Sequence, residues 1–213
     1  MDKVFGDYDQ AGLDAEYDNR AKVPDSVELL RRSADLSRKW RQRQTGELNM
    51  PFGPGADEVL DIFPAKAGPA PIRVFIHGGY WRMMPKDDYS YVACALTPQG
   101  CATVAVNYGL IPTIDMDELV RQCRSAGVSS MTNLNSMPKR RPATAPCIWS
   151  PVGQARCYGD ERPEYLRQSE ALAAAWRRHG IDVEVTVMPG QNYFTTVDQL
   201  SDPDAALSRL IRR

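Results

Sequence analysis

Pro71-Ile72-Arg73-Val74-Phe75-Ile76 is a mostly apolar run with β-branched residues that stops abruptly at His77-Gly78-Gly79-Tyr80-Trp81. Such a run reads as a buried strand, and its two glycines bring the backbone into a turn with no side chain at two positions. Upstream, Glu58-Val59-Leu60-Asp61-Ile62-Phe63 reads as a second strand, closed by Pro64 and a turn rich in Gly, Pro and Ala. Downstream, residues 87–96 can form a helix, Ala102-Thr103-Val104-Ala105-Val106-Asn107-Tyr108 is a third strand, and a short helix spans Met116 to Arg124. Further on, Ala155-Arg156-Cys157-Tyr158 is a short strand candidate running into Gly159-Asp160-Glu161. Pro163 to His179 is an amphipathic helix with Pro at its start and Gly180 just past its end. Val183 to Met188 is a strand and Asp204 to Arg212 a closing helix. Strands alternating with helices predict an α/β protein: a mostly parallel sheet with helices on both faces.

The N-terminal fifty residues differ in character. They are polar and helix-prone, with Val27, Leu29, Leu30, Ala34 and Leu36 on roughly one helical face between an Asp25-Ser26 cap and the Gly46 break. The expected organisation is a helical arm or cap over 1–50 and an α/β domain over 51–213, irregular or shortened at about 125–150. The 213 residues suit one domain with a small accessory piece.

Composition excludes several classes of function. With 26 Lys+Arg against 27 Asp+Glu, the net charge of −1 gives no electrostatic reason to expect nucleic acid or an anionic membrane as partner. The one dense basic run, Lys139-Arg140-Arg141, lies among prolines and reads as a solvated loop. No eighteen-residue apolar stretch and no secretory leader are visible, which predicts a cytoplasmic protein. The five cysteines show no Cys-x-x-Cys spacing, against a disulfide framework or a structural zinc site. No Gly-x-Gly-x-x-Gly follows a strand and no Gly-Lys-Ser/Thr loop is present. Histidine is scarce, with only His77 and His179.

The chemistry gathers at the Gly-Gly turn. Backbone N–H groups there can turn toward a ligand and hold developing negative charge, as an oxyanion hole does, and open α/β sheets place ligands at the carboxyl ends of their strands. At this point the sequence resembles the α/β-hydrolases, in particular the kynurenine formamidase (arylformamidase) branch. The resemblance is carried by Tyr17-Asp18-Asn19-Arg20, Phe75-Ile76-His77-Gly78-Gly79-Tyr80-Trp81-Arg82, Val106-Asn107-Tyr108, Pro163-Glu164-Tyr165-Leu166-Arg167-Gln168-Ser169 and Pro189-Gly190-Gln191-Asn192-Tyr193-Phe194. It covers residues of about 5–124 and 148–212. It implies an α/β-hydrolase fold and hydrolysis of an aryl formamide such as N-formylkynurenine, or of a small ester, by a Ser-acid-His triad without metal or cofactor. A homodimer is left open.

Carried over residue by residue, the resemblance puts the oxyanion hole on Gly78 and Gly79. His77, Tyr80, Trp81 and Phe194 fall on the substrate pocket, with His77 orienting the turn. The acid falls on Glu161, with Asp160 beside it. The nearest counterpart of the nucleophile elbow is Cys123-Arg124-Ser125-Ala126-Gly127, which makes Ser125 the candidate nucleophile, although the first glycine of Gly-x-Ser-x-Gly is Cys. The base position holds Tyr193, and a phenol near pKa 10 is a poor substitute for an imidazole near 6.5.

Length bears on the same point. A βαβ unit takes about 30 residues or more, and the 46 residues 109–154 cannot hold the two further βα units that such a fold needs before its next strand. Three readings follow: a working hydrolase, a non-catalytic relative that binds a small aromatic ligand or a partner, and an internally deleted form.

Overall fold

The computed structural model describes residues 2–66, 70–136, 148–151, 163–180, 185–186 and 188–211. The chain divides into two compact units, Met1–Arg31 with Gly153–Thr196 and Arg32–Val152 with Val197–Arg213.

The second unit holds the sheet. In chain order its elements are the greater part of α3 (Ser26–Arg43), β1 (Glu47–Pro51), β2 (Val59–Phe63), β3 (Ile72–Ile76), a 3-10 segment (Lys86–Val92) leading into α4 (Ala93–Leu96), and β4 (Ala102–Val106). α5 (Met116–Ser136) and β5 (Ile148–Pro151) follow. Five strands lie in the order β1-β2-β4-β3-β5. β3 is parallel to both β4 and β5, whereas β1–β2 and β2–β4 are antiparallel, so the sheet is mixed. β3 and β4 are buried at every residue, the mark of strands covered on both faces.

The core explains where α5 lies. Leu119, Cys123 and Ala126 recur at helical spacing and pack on Leu60, Val74 and Val104 of β2, β3 and β4. This helix continues to Ser136, twelve residues past the expected end at Arg124, and Ala126 carries its buried apolar stripe onto the sheet past that point. β5 was not anticipated, since Ile-Trp-Ser-Pro is too short to show a period and ends in proline. The expected strand at 155–158 lies outside the described residues, as does most of the one at 183–188.

A buried ion cluster ties the sheet to its first helix. Lys86 Nζ meets Asp61 Oδ1 at 2.8 Å and Asn49 Oδ1 at 2.8 Å, with Lys86 2% and Asp61 0% exposed. Arg41 of α3 pairs with Asp87 and reaches Asp61 Oδ2 at 3.7 Å.

The first unit is built from two stretches far apart in the chain. It holds α1 (Gln10–Tyr17), α2 (Asn19–Lys22) and α6 (Pro163–Arg178). Asp18 caps α2 by accepting from the Ala21 N–H at 3.0 Å, while Asn19 Nδ2 donates to the Tyr165 hydroxyl at 3.0 Å. The Tyr17 hydroxyl accepts from Gln168 and donates to Glu164 Oε1 at 3.5 Å. Two motifs that carried the resemblance, Tyr17-Asp18-Asn19 and Glu164-Tyr165-x-x-Gln168, are therefore two sides of one latch. Arg167, bonded to Glu164, holds that carboxyl down at about 2. The second helix of the sheet unit's C-terminal part, α8 (Ala206–Ile211), follows α7 (Thr195–Asp198) and anchors β3, since Arg73 donates to the Ile211 carbonyl at 3.1 and 3.2 Å. No helix among the described residues is long and apolar enough to cross a membrane.

Candidate functional site

β3 ends at Ile76, and the next five residues form a tightly held turn. Gly79 has φ +120, and a Cβ there would stand 2.1 Å from the Met83 carbonyl oxygen, so only glycine fits. Tyr80 and Trp81 follow with φ of 53 and 62, the left-handed region that side chains rarely enter. The Gly79 carbonyl accepts from the N–H groups of Arg82 and Met83, and the Trp81 carbonyl from the Ile111 N–H at 2.8 Å. In contrast, the N–H groups of Gly78 and Gly79 take part in no hydrogen bond formed among the described residues.

His77 is built into the floor of this turn. It is 1% exposed, and its ring is stacked with Tyr108 at 4.3 Å and with Tyr89 at 5.8 Å. Its Nδ1 lies 2.8 Å from the Gly78 carbonyl, which places the ring proton on Nδ1. Burial pushes its pKa down to about 4; the bond to Gly78 opposes this and the charge of Lys86 adds to it. The ring is thus neutral at pH 7, and Nε2 is a buried acceptor with no partner among the described residues. The Tyr108 hydroxyl donates to the His77 carbonyl at 2.6 Å. Trp81 packs against the core beside Tyr108 at 5.6 Å, and Tyr80 is exposed.

The remaining candidates stand elsewhere. Ser125 is in the middle of α5, half-buried, with Arg121 Nη1 donating to its Oγ at 3.5 Å. No strand-to-helix elbow surrounds it: the backbone there is helical on both sides. Cys123, the residue in place of the elbow's first glycine, is buried in the core, and burial pushes its thiol up to about 11. Tyr193 and Phe194 belong to the first unit, in a turn held by Asn192, whose Oδ1 accepts from the Phe194 and Thr195 N–H groups at 2.9 and 3.0 Å. Tyr193 meets Tyr165 edge-on at 6.1 Å. Asp160 and Glu161 lie outside the described residues.

Sequence reading did not assign Tyr108 to the site, although Val106-Asn107-Tyr108 signals it. A strand neighbouring β3 that ends in a polar residue and a tyrosine delivers both beside the glycine turn. Asn107 accepts from the Lys86 N–H at 3.1 Å and donates to the Asp57 carbonyl at 3.2 Å, and Tyr108 holds His77. Among the described residues no group of three or more His, Cys, Asp or Glu is placed to hold a metal ion.

The mixed sheet with its covering helices has counterparts among solved structures. A structure from Silicibacter sp. tm1040 that carries a provisional thioesterase label superposes with TM-score 0.78 at 21% identity, covering 94% of this chain and 99% of that one. A hormone-sensitive lipase from a metagenome library gives 0.57 at 14% identity, covering 94% and 95%. Esterase B from Lactobacillus rhamnosis gives 0.57 at 11%, covering 92% and 94%. The fold is that of the α/β-hydrolases. By sequence the chain is kynurenine-formamidase-like: it is 37% identical over 84 residues to the kynurenine formamidases of Danio rerio and of Salmo salar. Each match covers 38% of this chain and 29% of the relative, so the similar stretch spans under a third of those proteins. No family model matches the chain.

Proposed function

We propose that this chain is a hydrolase of the arylformamidase or esterase type, in which the Gly78 and Gly79 N–H groups receive the carbonyl oxygen of a small aryl formamide or ester. The observation that carries this reading is that the Gly78 and Gly79 N–H groups make no hydrogen bond among the described residues, in a turn that runs through three consecutive residues of positive φ. Trp81 and Tyr80 supply aromatic surface suited to an aryl group. N-formylkynurenine is the substrate that the formamidase likeness favours. The catalytic roles proposed are Ser125 as nucleophile, Glu161 or Asp160 as acid, and Tyr193 at the position of the base. The free thiols of Cys94, Cys101 and Cys123 accord with a reducing cytoplasm.

A second reading has its own support. Ser125 within a continuous helix and Tyr193 in place of an imidazole both favour binding without turnover.

Titration of the purified protein with N-formylkynurenine, followed by calorimetry and by release of formate, separates the two. Turnover abolished in Ser125→Ala establishes the hydrolase with its nucleophile. Binding without formate release establishes the second reading, and neither binding nor release overturns both.

A further inference from the structure

We propose that Tyr108 is the positioning residue of the glycine turn: its hydroxyl, together with the His77 imidazole, pins the carbonyls behind Gly78 and Gly79 and so fixes both N–H groups for an oxyanion. This inference rests on the oxyanion reading of the turn given above.

The physical basis is the planarity of the amide. In a trans peptide the carbonyl of one residue and the N–H of the next point in opposite directions, and neither turns without the other. The His77 carbonyl and the Gly78 N–H are two ends of one such plane, and the Tyr108 hydroxyl holds the carbonyl end at 2.6 Å. The Gly78 carbonyl and the Gly79 N–H are the ends of the next plane, and His77 Nδ1 holds that carbonyl at 2.8 Å. Neither Gly78 nor Gly79 has a side chain to resist a rotation at its own position, which gives these two hydrogen bonds their part in holding the planes.

Tyr108 is itself rigid. It is 1% exposed, its ring stacks on His77 at an interplanar angle of 10°, and it stands two residues past the end of β4. The next residue is fixed too, since the Gly109 N–H donates to Gln122 Oε1 of α5 at 2.8 Å. A hydroxyl on so fixed a ring is a fixed donor. A preorganised donor set matters because N–H groups already in place need no reorganisation when charge develops on a carbonyl oxygen.

Tyr108→Phe keeps the ring stack and removes only the hydroxyl. Tyr89→Phe is the control, since Tyr89 also stacks on His77 and no hydrogen bond joins it to the turn among the described residues. In protein labelled with 15N-glycine, Gly78 of the ligand-free wild type is expected to be rigid, with an order parameter of about 0.85, falling below about 0.6 in Tyr108→Phe and unchanged in Tyr89→Phe. Titration with benzoate, a carboxylate standing in for the oxyanion, and with formanilide is expected to move the Gly78 and Gly79 amide signals in wild type. Tyr108→Phe is expected to weaken that response about tenfold. An unchanged order parameter in a folded Tyr108→Phe overturns the pinning alone. A Gly78 that loosens in Tyr108→Phe, with no wild-type response to either probe, removes the oxyanion reading and this proposal with it.

Discussion

His77-Gly78-Gly79-Tyr80-Trp81 and Cys123-Arg124-Ser125-Ala126-Gly127 lie in the same unit and both resemble hydrolase motifs as strings of letters, yet their backbones are in opposite states. The first leaves a strand through three consecutive residues of positive φ, with the His77 and Gly78 carbonyls bonded and the Gly78 and Gly79 N–H groups without a hydrogen bond among the described residues. The second is a regular stretch of α5 in which each backbone group belongs to the helix ladder. The lesson is that a motif of this kind acts through a conformation. Glycines at the end of a buried strand let the backbone leave the ladder in conformations a helix does not use, whereas Ser-Ala-Gly inside a helix is simply helix.

Four measurements break or sharpen that contrast. The largest effect is expected where the turn's return segment is rooted, at Lys86. Lys86→Met leaves Asp61 buried without its closest cation and is expected to cost about 3–5 kcal/mol in urea denaturation; a loss below 1 kcal/mol would mean that the cluster does not anchor the segment. Next, Gly79→Ala drives a Cβ onto the Met83 carbonyl and is expected to cost about 3 kcal/mol by the same assay. Neutrality there would show the turn to be more yielding than its geometry indicates.

The third concerns pH. Because burial lowers the His77 pKa to about 4, the unfolded chain binds a proton near 6.5 that the folded chain refuses until about 4. His77 therefore leaves stability undiminished above pH 6.5 and withdraws up to about 3 kcal/mol as pH falls from 6.5 to 4. Thermal melts across that range are expected to show the slope in wild type and a flatter one in His77→Asn. The smallest effect belongs to the helical string. Ser125→Ala is expected to change stability by less than about 0.5 kcal/mol, in the favourable direction, as an exchange of serine for alanine within a helix does. A cost above 1 kcal/mol would show Ser125 to be held in something other than an ordinary helix.

Much of the fold was legible in the sequence. β2, β3 and β4 are short apolar runs bounded by Pro or Gly, and burial on both faces is what such runs signal. α6 was bracketed by Pro163 and Gly180, and it ends two residues before that glycine. The antiparallel β1 was not legible, because Glu-Leu-Asn-Met-Pro is mostly exposed and carries little hydrophobic pattern. α5 ran past its expected end for a similar reason: Ser, Thr and Asn in its second half weaken local propensity, while packing of Leu119, Cys123 and Ala126 on the sheet overrides it. In the site, glycine and aromatic letters announced the turn. The Tyr108 anchor was hidden because the contact joins residues 31 apart through a hydroxyl and a carbonyl, and no local spacing encodes it.

The latch between the N-terminal helices and α6 has a consequence for how the chain is made. Asn19 and its partner Tyr165 are separated by 146 residues, and at 5–20 residues per second the ribosome needs roughly 7–30 s to pass from one to the other. For that interval the segment Tyr17-Asp18-Asn19 has no α6 to close upon. The first unit is thus assembled late, after β1 to β5 have all been synthesised, and its closure follows the sheet in the birth of the molecule.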